Sequence, residues 1–365
     1  KASLLFQNKL NPNVTTKFKG DPIRHEWVSC LLFNAFIQSA GDIKDDTAWL
    51  NALIKEEINE SALTRYNYQQ GHKSLGEQPD AASLITWLIV SHHRLPLPKQ
   101  GSECDRQCDK ENGSIHSLLK RVTPQWGYEN RFNEQEYQNL VEQCFEFPKG
   151  VLLSSRKWRD KLKFWATSLQ QNLTLLDAAM KNGSWRVILH HARLCLMLGD
   201  HYYSSQDNDK SWPSELELFA NTCRDSGKVC LKQKLDEHLV QVSRVAVRAA
   251  KLLPFFESKP LKAIQVDKLK PQKDTPSKYQ WQDKAVNAIK QWQQQQGESK
   301  GGFFAVNMAS TGYGKTFANA KIMQALSEDG ESLRYILALG LRTLTLQTGD
   351  EYRDRVGLDE SQLAV

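Results

Sequence analysis

The chain has 365 residues, 40% hydrophobic and 25% charged, and a formal net charge of +6. This composition is ordinary for a globular protein long enough for two domains, and its mild basicity permits a nucleic-acid partner without requiring one. No apolar run approaches the ~18 residues of a membrane span and no signal-peptide pattern is present, so we expect no membrane partner.

The cysteines indicate a reducing compartment. The chain contains seven, an odd number, which favours free thiols and a cytoplasmic location. Cys104 and Cys108 have no second Cys/His pair at zinc spacing, so we do not expect a metal there. The first residue is Lys1 rather than Met, and we therefore expect a piece of a longer protein.

The N-terminal part, residues 1–256, has an almost entirely helical pattern, interrupted by a long polar stretch over residues 96–148. Asp21-Pro22 predicts a helix start that places His25 in the first turn, on the inward face. Asp80 is expected to cap a second, apolar helix that ends in Ser91-His92-His93.

A third helix, expected to start at Ser184, carries an acidic residue on an apolar face. Ala192, Leu196, Asp200 and Ser204 share this face at i, i+4 spacing, where a carboxylate is costly unless it is paired or bound to metal. His191 falls on the opposite face from Asp200 and His190 about 80° away from it, which favours a role for both in packing or in supporting a ligand rather than in binding metal directly. Taken singly, a buried, satisfied histidine is more common than a ligand. One histidine, a His-His pair and an inward aspartate on separate helices are more typical of a divalent-metal hydrolase.

These residues resemble the HD phosphohydrolase superfamily. Arg24-His25-Glu26, Ser91-His92-His93 and the run from Gly199 to Ser204 are similar to its Arg-His-Glu, paired-histidine and Asp-x-x-x-Ser elements. More narrowly, they resemble the HD nuclease of the CRISPR-associated nuclease–helicases of type I systems. The sequence Arg-His-Glu-Trp is most similar to that of subtype I-F, in which a small adaptation subunit precedes the HD domain.

The resemblance implies a ligand set. His25, His92 and His93 would serve one metal and Asp200 a second, with a bridging aspartate expected before residue 1. The segment that begins at Lys1 is similar to the one that follows His-Asp-x-Gly in the family, so Lys1 would neutralise phosphate or developing charge. Mixed imidazole and carboxylate ligands suit Fe, Mn, Co or Ni better than Mg²⁺, and two ions are expected.

Two basic segments follow the histidine pair. In the first, Arg156 to Trp165, cations alternate with aromatic residues, which fits either single-stranded DNA binding or an amphipathic helix with snorkelling lysines. The second, residues 257–278, is rich in proline and lysine and predicts a linker.

The run from Ala309 to Thr316 predicts a phosphate-binding loop. Its glycines, Gly312 and Gly314, let backbone N–H groups face phosphate oxygens. Lys315 would reach the β- and γ-phosphates, and Thr316 would bind Mg²⁺. Residues 303–306 (Phe-Phe-Ala-Val) before the loop predict a strand, and residues 317–326 after it a helix.

Flanking residues resemble the first RecA-like half of superfamily 2 helicases. There, Gln282 would recognise adenine and Tyr279 would stack on it, both ahead of the loop. The loop, including Thr311, resembles motif I. Residues 337–347 predict a strand that runs into the sequence Arg-Thr-Leu-x-x-Gln. Within it, Arg342, Thr343 and Gln347 resemble the DNA-tracking motif Ia. Asp350-Glu351 is expected to be a solvated helix start, not the carboxylate pair that ATP hydrolysis requires.

The expected architecture is multidomain. An all-α HD nuclease domain (1–256) and a basic linker (257–278) precede the first part of an α/β RecA-like domain (279–365), with truncation at both ends.

The expected function is metal-dependent cleavage of single-stranded DNA coupled to an ATP- and Mg-dependent translocase in CRISPR interference, although this piece alone is not expected to hydrolyse ATP. Expected partners are an RNA-guided surveillance complex, the spacer integrase through a fused adaptation subunit, and phage anti-CRISPR proteins. The alternatives are an HD hydrolase of nucleotides and an inactive docking fragment.

Overall fold

The computed structural model describes residues 23–60, 75, 77–96, 113–128, 141, 144–145, 147, 149–214, 216–226, 228–258, 263–296, 302–327, 329–340 and 342–365. These residues divide into two compact units, and the boundary in the sequence falls between Glu257 and Ser258. Lys1, Asp21-Pro22 and the Cys104/Cys108 pair lie outside the described residues, so the expectations about them remain predictions.

The first unit is predominantly helical, in agreement with an all-α domain. Its described helices are α1 (His25–Ser39), α2 (Asp46–Ile54), α3 (Asp80–Ser91), α4 (Ile115–Arg121), α5 (Arg156–Gln171), α6 (Leu173–Asn182), α7 (Trp185–Ser205) and α8 (Leu235–Ser258). An antiparallel hairpin between α7 and α8, which the sequence pattern does not predict, pairs β1 (Thr222–Asp225) with β2 (Lys228–Leu231).

Helices α1 and α3 pack against each other and run antiparallel. Trp27 of α1 and Val90 of α3 share one buried cluster, while Phe36 of α1 and Ala82 of α3 share a second. Burial of these apolar side chains away from water is the main stabilising contribution to such a helical core. The packing places the N-terminus of α1 beside the C-terminus of α3.

The helix starts differ from those expected. Helix α1 begins at His25 with Arg24 as its N-cap. The N-terminus of α3 is capped from another helix, because the Asp46 carboxylate accepts the N–H groups of Ala81 and Ala82 at 2.8 and 3.1 Å. Asp80 does not cap α3, since its carboxylate instead accepts from His116 Nε2 at 2.7 Å.

Helix α7 has Ser184 as its N-cap, as expected, and Ser204 Oγ donates to Asp200 Oδ1 at 3.4 Å. His190 and His191 are exposed, so the packing role expected for them was wrong: α7 turns that side to solvent. Among the described residues, no helix is both long and apolar enough to cross a membrane.

The basic helix α5 is amphipathic. Ala166 and Leu162 pack into the second cluster. Arg159 and Lys163 pair with Glu56 at 3.6 and 3.5 Å, and Lys157 lies over the Trp212 ring. The buried face agrees with the amphipathic-helix interpretation, and binding of single-stranded DNA by the exposed residues of α5 stays a prediction.

The second unit combines helices with a minimal sheet. Its described elements are β3 (Ile264–Gln265), α9 (Gln280–Gln296), α10 (Lys315–Ala325), β4 (Ser332–Leu333) and α11 (Arg342–Glu351), followed by a π-helical turn at Tyr352–Val356. Strands β3 and β4 are antiparallel, with Ile264 opposite Leu333. Part of the expected linker is therefore folded, because Val266 and Leu269 are buried beside Leu333 in the core of this unit.

The strands expected around the phosphate loop are not formed. Residues 303–306 and 337–340 are irregular, and the side chains of Phe304 and Val306 are 90% and 69% exposed. A strand exists only when a neighbour accepts and donates its ladder hydrogen bonds, and β3–β4 is the sole ladder in the part of this unit that the structure describes. Asp350-Glu351 ends α11 instead of starting a helix.

Candidate metal centre and nucleotide loop

Three histidines meet where α1 begins and α3 ends. His25 is the first residue of α1, and His92 and His93 directly follow the last residue of α3. The antiparallel packing of the two helices brings these ends together. Two contacts hold the end of α3: Tyr128 donates to the Val90 carbonyl at 2.7 Å, and Arg193 of α7 to the Ser91 carbonyl at 2.9 Å.

The imidazole rings converge through their ring nitrogens. His25 Nε2 lies 3.4 Å from His92 Nε2 and 3.0 Å from His93 Nε2. One ligand nitrogen from each of the three lies within 4.8 Å of the others, the only such group of three ligand residues within the described ranges. Two nitrogens bound side by side to one ion at about 2.1 Å lie about 3.0–3.4 Å apart. The two distances from His25 Nε2 therefore fit a divalent transition metal.

The surroundings of the Nδ1 atoms of His25 and His92 also fit a bound metal ion. His92 Nδ1 lies 2.6 Å from the Ile89 carbonyl oxygen, and His25 Nδ1 lies 3.3 Å from Glu26 Oε2. An acceptor at Nδ1 holds the proton there, so that each neutral ring presents a lone pair at Nε2. Two lone pairs that face each other cannot share a hydrogen bond, whereas a cation between them would accept both.

Glu26 is a fully buried carboxylate behind His25. Burial raises the pKa of Glu26, but the Arg24 guanidinium and the Glu26 backbone N–H together outweigh this effect, and the pKa lies below its ordinary value. Arg24 donates to both oxygens, with contacts of 2.7–3.2 Å. Glu26 is therefore a carboxylate at neutral pH, and its charge favours a proton on His25 Nδ1.

Asp200 of α7 lies beside this group without joining it. Its Oδ2 is 4.0 Å from His93 Nδ1, too far for a hydrogen bond and on the side of that ring away from the convergent nitrogens. Burial raises the pKa of Asp200, but the hydrogen bond and charge of His238 lower it below the ordinary value.

His238 is the residue that the sequence analysis missed. It lies in the first turn of α8, and its Nε2 is 3.1 Å from Asp200 Oδ1. A histidine on the buried side of an amphipathic helix was the available signal, but 38 residues separate it from Asp200. Their contact depends on how two helices pack, which no local pattern encodes.

In the second unit, the predicted phosphate loop leads directly into α10. Gly312 and Gly314 have φ values of +82° and +71°, a region that favours glycine, and Gly314 is the N-cap of α10. Lys315 is the first helical residue and is exposed. The exposed loop and Lys315 therefore lie at a helix N-terminus, a setting that favours anions.

The residues expected to contact adenine pack against this loop. Gln282 Nε2 donates to the Gly314 carbonyl at 3.2 Å, and Trp281 Nε1 donates to the Tyr313 carbonyl at 3.2 Å. A β-carbon on Gly314 would lie 2.7 Å from Gln282 Nε2 and 3.4 Å from the Tyr279 ring. Tyr279 and Gln282 are thus brought together with Gly314.

The remaining expected site residues lie in two places. Thr311 is exposed in the loop, and the Thr316 carbonyl accepts from the Tyr352 hydroxyl at 3.1 Å. The proposed DNA-tracking residues Arg342, Thr343 and Gln347 lie in helix α11, not after a strand. Thr343 and Gln347 are exposed and, four positions apart, share one face of that helix.

Comparison with known proteins agrees with the resemblance. Along its whole length the chain is 37% identical to the "CRISPR-associated nuclease/helicase Cas3 subtype I-F/YPEST" of Pectobacterium atrosepticum, and 37% identical to the protein of the same name from Pseudomonas aeruginosa. The resemblance to subtype I-F nuclease–helicases is confirmed. The chain spans about a third of the length of these relatives (33% and 32%). No family model matches it.

The similarity to the subtype I-F nuclease–helicases covers both units. Because the aligned region includes all of the chain, it contains the three histidines, Asp200 and the phosphate loop. The strands expected around that loop depend on pairing partners, and the chain corresponds to only a third of each relative. Whether residues 303–306 form a strand in a complete sheet therefore stays a prediction.

Proposed function

We propose that this chain provides the metal-dependent nuclease for single-stranded DNA and the start of an ATP-driven translocase in CRISPR interference. The observation that carries the proposal is the convergence of ligand nitrogens from His25, His92 and His93 at metal-ligand spacing. The relatives named nuclease/helicase supply the class of reaction.

In this proposal the three histidines hold one divalent transition metal (Fe, Mn, Co or Ni), and Asp200 contributes to a second. Bound there, such ions would supply Lewis-acid chemistry to a phosphodiester. Glu26 and the Ile89 carbonyl would keep protons at the Nδ1 atoms of His25 and His92, so that their Nε2 lone pairs stay directed at the ion. Lys1 would offset phosphate charge.

The second unit is proposed to bind ATP with Mg²⁺. The loop N–H groups around Gly312 and Gly314 would contact phosphate oxygens, Lys315 the terminal phosphates, and Thr316 the Mg²⁺. Tyr279 and Gln282, which already pack against Gly314, would contact adenine. The exposed face of α11 with Thr343 and Gln347, together with Arg342, would contact the DNA backbone.

The proposed partners follow from the family resemblance. An RNA-guided surveillance complex would present the DNA, and a fused adaptation subunit would link the protein to the spacer integrase. Phage anti-CRISPR proteins would be its antagonists. These assignments rest on the resemblance alone.

The test is cleavage of single-stranded DNA by the full-length protein in Mn²⁺. We expect His92→Ala to reduce cleavage by orders of magnitude. The matched control is His116→Ala, because His116 pairs with Asp80 outside the convergent group. Cleavage of free nucleotides in preference to DNA would favour an HD nucleotide hydrolase. A wild-type protein that neither cleaves DNA nor binds Mn²⁺ would indicate a docking role.

A further inference from the structure

A chain of three polar side chains leads from the β1–β2 hairpin region to Asp200. His238 Nδ1 lies 3.0 Å from Gln233 Oε1, and its Nε2 lies 3.1 Å from Asp200 Oδ1. Both ring nitrogens therefore face oxygen acceptors, and the His238 side chain is only 11% exposed. The imidazole therefore has an oxygen atom within hydrogen-bonding distance at each of its two nitrogens.

Gln233 is itself held in one orientation. Its Nε2 donates to the carbonyls of Tyr203 and Gln206, both at 2.8 Å, and its Oε1 accepts from Asn221 Nδ2 at 2.8 Å. Because the amide nitrogen is committed to two carbonyls, the amide cannot flip without losing both bonds. Gln233 is fully buried, so its orientation fixes that of His238.

The helices that carry Asp200 and His238 are unusually close at this point. A β-carbon on Gly199 of α7 would lie 2.8 Å from the Val242 carbonyl of α8 and 3.0 Å from the Ala246 nitrogen. Next to Asp200, the buried Tyr203 hydroxyl donates to Glu237 Oε1 at 2.8 Å. Helices α7 and α8 are therefore in close backbone contact on one side of the Asp200–His238 pair and joined by a hydrogen bond on the other.

The bond from His238 engages one oxygen of Asp200 and leaves the other directed elsewhere. Oδ1 is within hydrogen-bonding distance of His238 Nε2 and Ser204 Oγ, whereas Oδ2 is the oxygen nearest to His93. Carboxylates that bind metals are commonly oriented in this way by a second hydrogen-bonding group, whose loss weakens metal affinity about 10- to 100-fold.

We propose that His238 is a positioning residue that, through its bond to Oδ1, orients Asp200 so that Oδ2 is directed toward the Nδ1 edge of His93. This inference rests on the proposed function, because it requires Asp200 to serve a metal ion. His238 itself would not contact the ion or the DNA. Its effect would pass through Asp200 alone.

The experiment compares His238→Leu, His238→Gln and the control His191→Leu in the full-length protein. Mn²⁺ binding is measured by isothermal titration calorimetry, and melting temperature is measured in EDTA. We expect His238→Leu to weaken Mn²⁺ binding about tenfold or more. Glutamine can donate from Nε2 at similar reach, so His238→Gln should restore most of the affinity. His191 is exposed on α7, and His191→Leu should bind as the wild type does.

The outcomes separate this inference from the function on which it rests. Wild-type affinity in His238→Leu overturns the positioning role and leaves the nuclease proposal intact. Equal loss of affinity in the leucine and glutamine variants also overturns it, since the hydrogen bond would then not be the cause. A wild-type protein that binds no Mn²⁺ overturns the proposed function, and the positioning role with it.

Discussion

His25 Nε2 lies 3.0 Å from His93 Nε2, although 68 residues separate them along the chain. The approach is a consequence of the antiparallel packing of α1 and α3, whose shared apolar clusters fix which helix ends meet. Stability and ligand geometry are thus linked: the Trp27–Val90 cluster at this end of the helices holds the imidazoles at ligand spacing.

The first prediction concerns stabilisation by metal. If the three histidines bind an ion in the folded state only, a concentration of Mn²⁺ 100 times its dissociation constant stabilises the protein by about 2.7 kcal/mol. His93→Ala should lose most of this increase in melting temperature, since it removes one of three ligands. Differential scanning calorimetry with and without Mn²⁺ measures the increase in melting temperature. His190→Ala, an exposed histidine on α7, is the control, and an equal loss there would contradict the assignment.

The second prediction concerns Glu26. Its pKa is lower in the folded state than its ordinary value of 4.5, so its ionisation stabilises the fold above about pH 4.5. This contribution is lost as pH falls through the folded pKa. Glu26→Gln leaves Arg24 without its carboxylate partner and should cost about 1–3 kcal/mol at pH 7. Urea unfolding should show the difference from wild type shrinking below pH 4.5. A difference that is independent of pH would contradict the ion-pair explanation.

Candidate ligand residues could be named from the sequence, whereas the residues that surround them could not. His25, His92, His93 and Asp200 were identified because histidine pairs and an aspartate on an apolar helix face are chemically unusual. His238 carries no such local signal, since its importance arises only when α8 packs against α7 at Gly199. Its contact with Asp200 also explains how a carboxylate is tolerated on that apolar face.

The secondary structure likewise divides into features that local sequence encodes and features that depend on distant parts of the chain. The helical character of the first unit is encoded by local periodicity and was predictable. The cap of α3 was not, because Asp46 reaches it from another helix, 35 residues earlier in the chain. Residues 303–306 look like a strand, yet strand formation depends on a pairing neighbour that local sequence cannot supply.

The third prediction tests the cap of α3. The Asp46 carboxylate accepts from the Ala81 and Ala82 N–H groups and, at 2.8 Å, from Trp49 Nε1. Asp46→Ala would leave these donors unsatisfied and should cost about 1–3 kcal/mol. Asp160→Ala is the control, because Asp160 is an exposed residue within α5 whose carboxylate lies 4.0 Å from the exposed Arg156 guanidinium, a surface pair that contributes little to stability. Chemical denaturation measures both, and equal costs would mean that Asp46 does not cap α3.

The fourth prediction separates the two activities. Lys315→Ala should abolish ATP-driven translocation in the full-length protein, because no other residue in the predicted loop carries a positive charge for the phosphates. Metal-dependent cutting of DNA that is already single-stranded should persist, since the histidines belong to the other compact unit. Lys290→Ala, an exposed lysine of α9, is the control. Parallel loss of both activities in Lys315→Ala would contradict the separation.

The fifth prediction tests the close contact between α7 and α8. In an open helix, glycine to alanine stabilises by about 1 kcal/mol. Gly199→Ala should instead destabilise by about 1–3 kcal/mol, because the new methyl group meets the backbone of Val242 and Ala246, which cannot move aside as a flexible side chain would. The helices must separate, and the 3.1 Å contact between His238 and Asp200 should lengthen with them.

Two measurements check this outcome. The melting temperature of Gly199→Ala should fall in EDTA, where no metal contributes to stability. Mn²⁺ affinity should fall as well, in the same direction as in His238→Leu, since both changes release Asp200 from its partner. A higher melting temperature would mean that the two backbones are not in contact at Gly199. Lower stability with unchanged Mn²⁺ affinity would show instead that Asp200 keeps its orientation without His238.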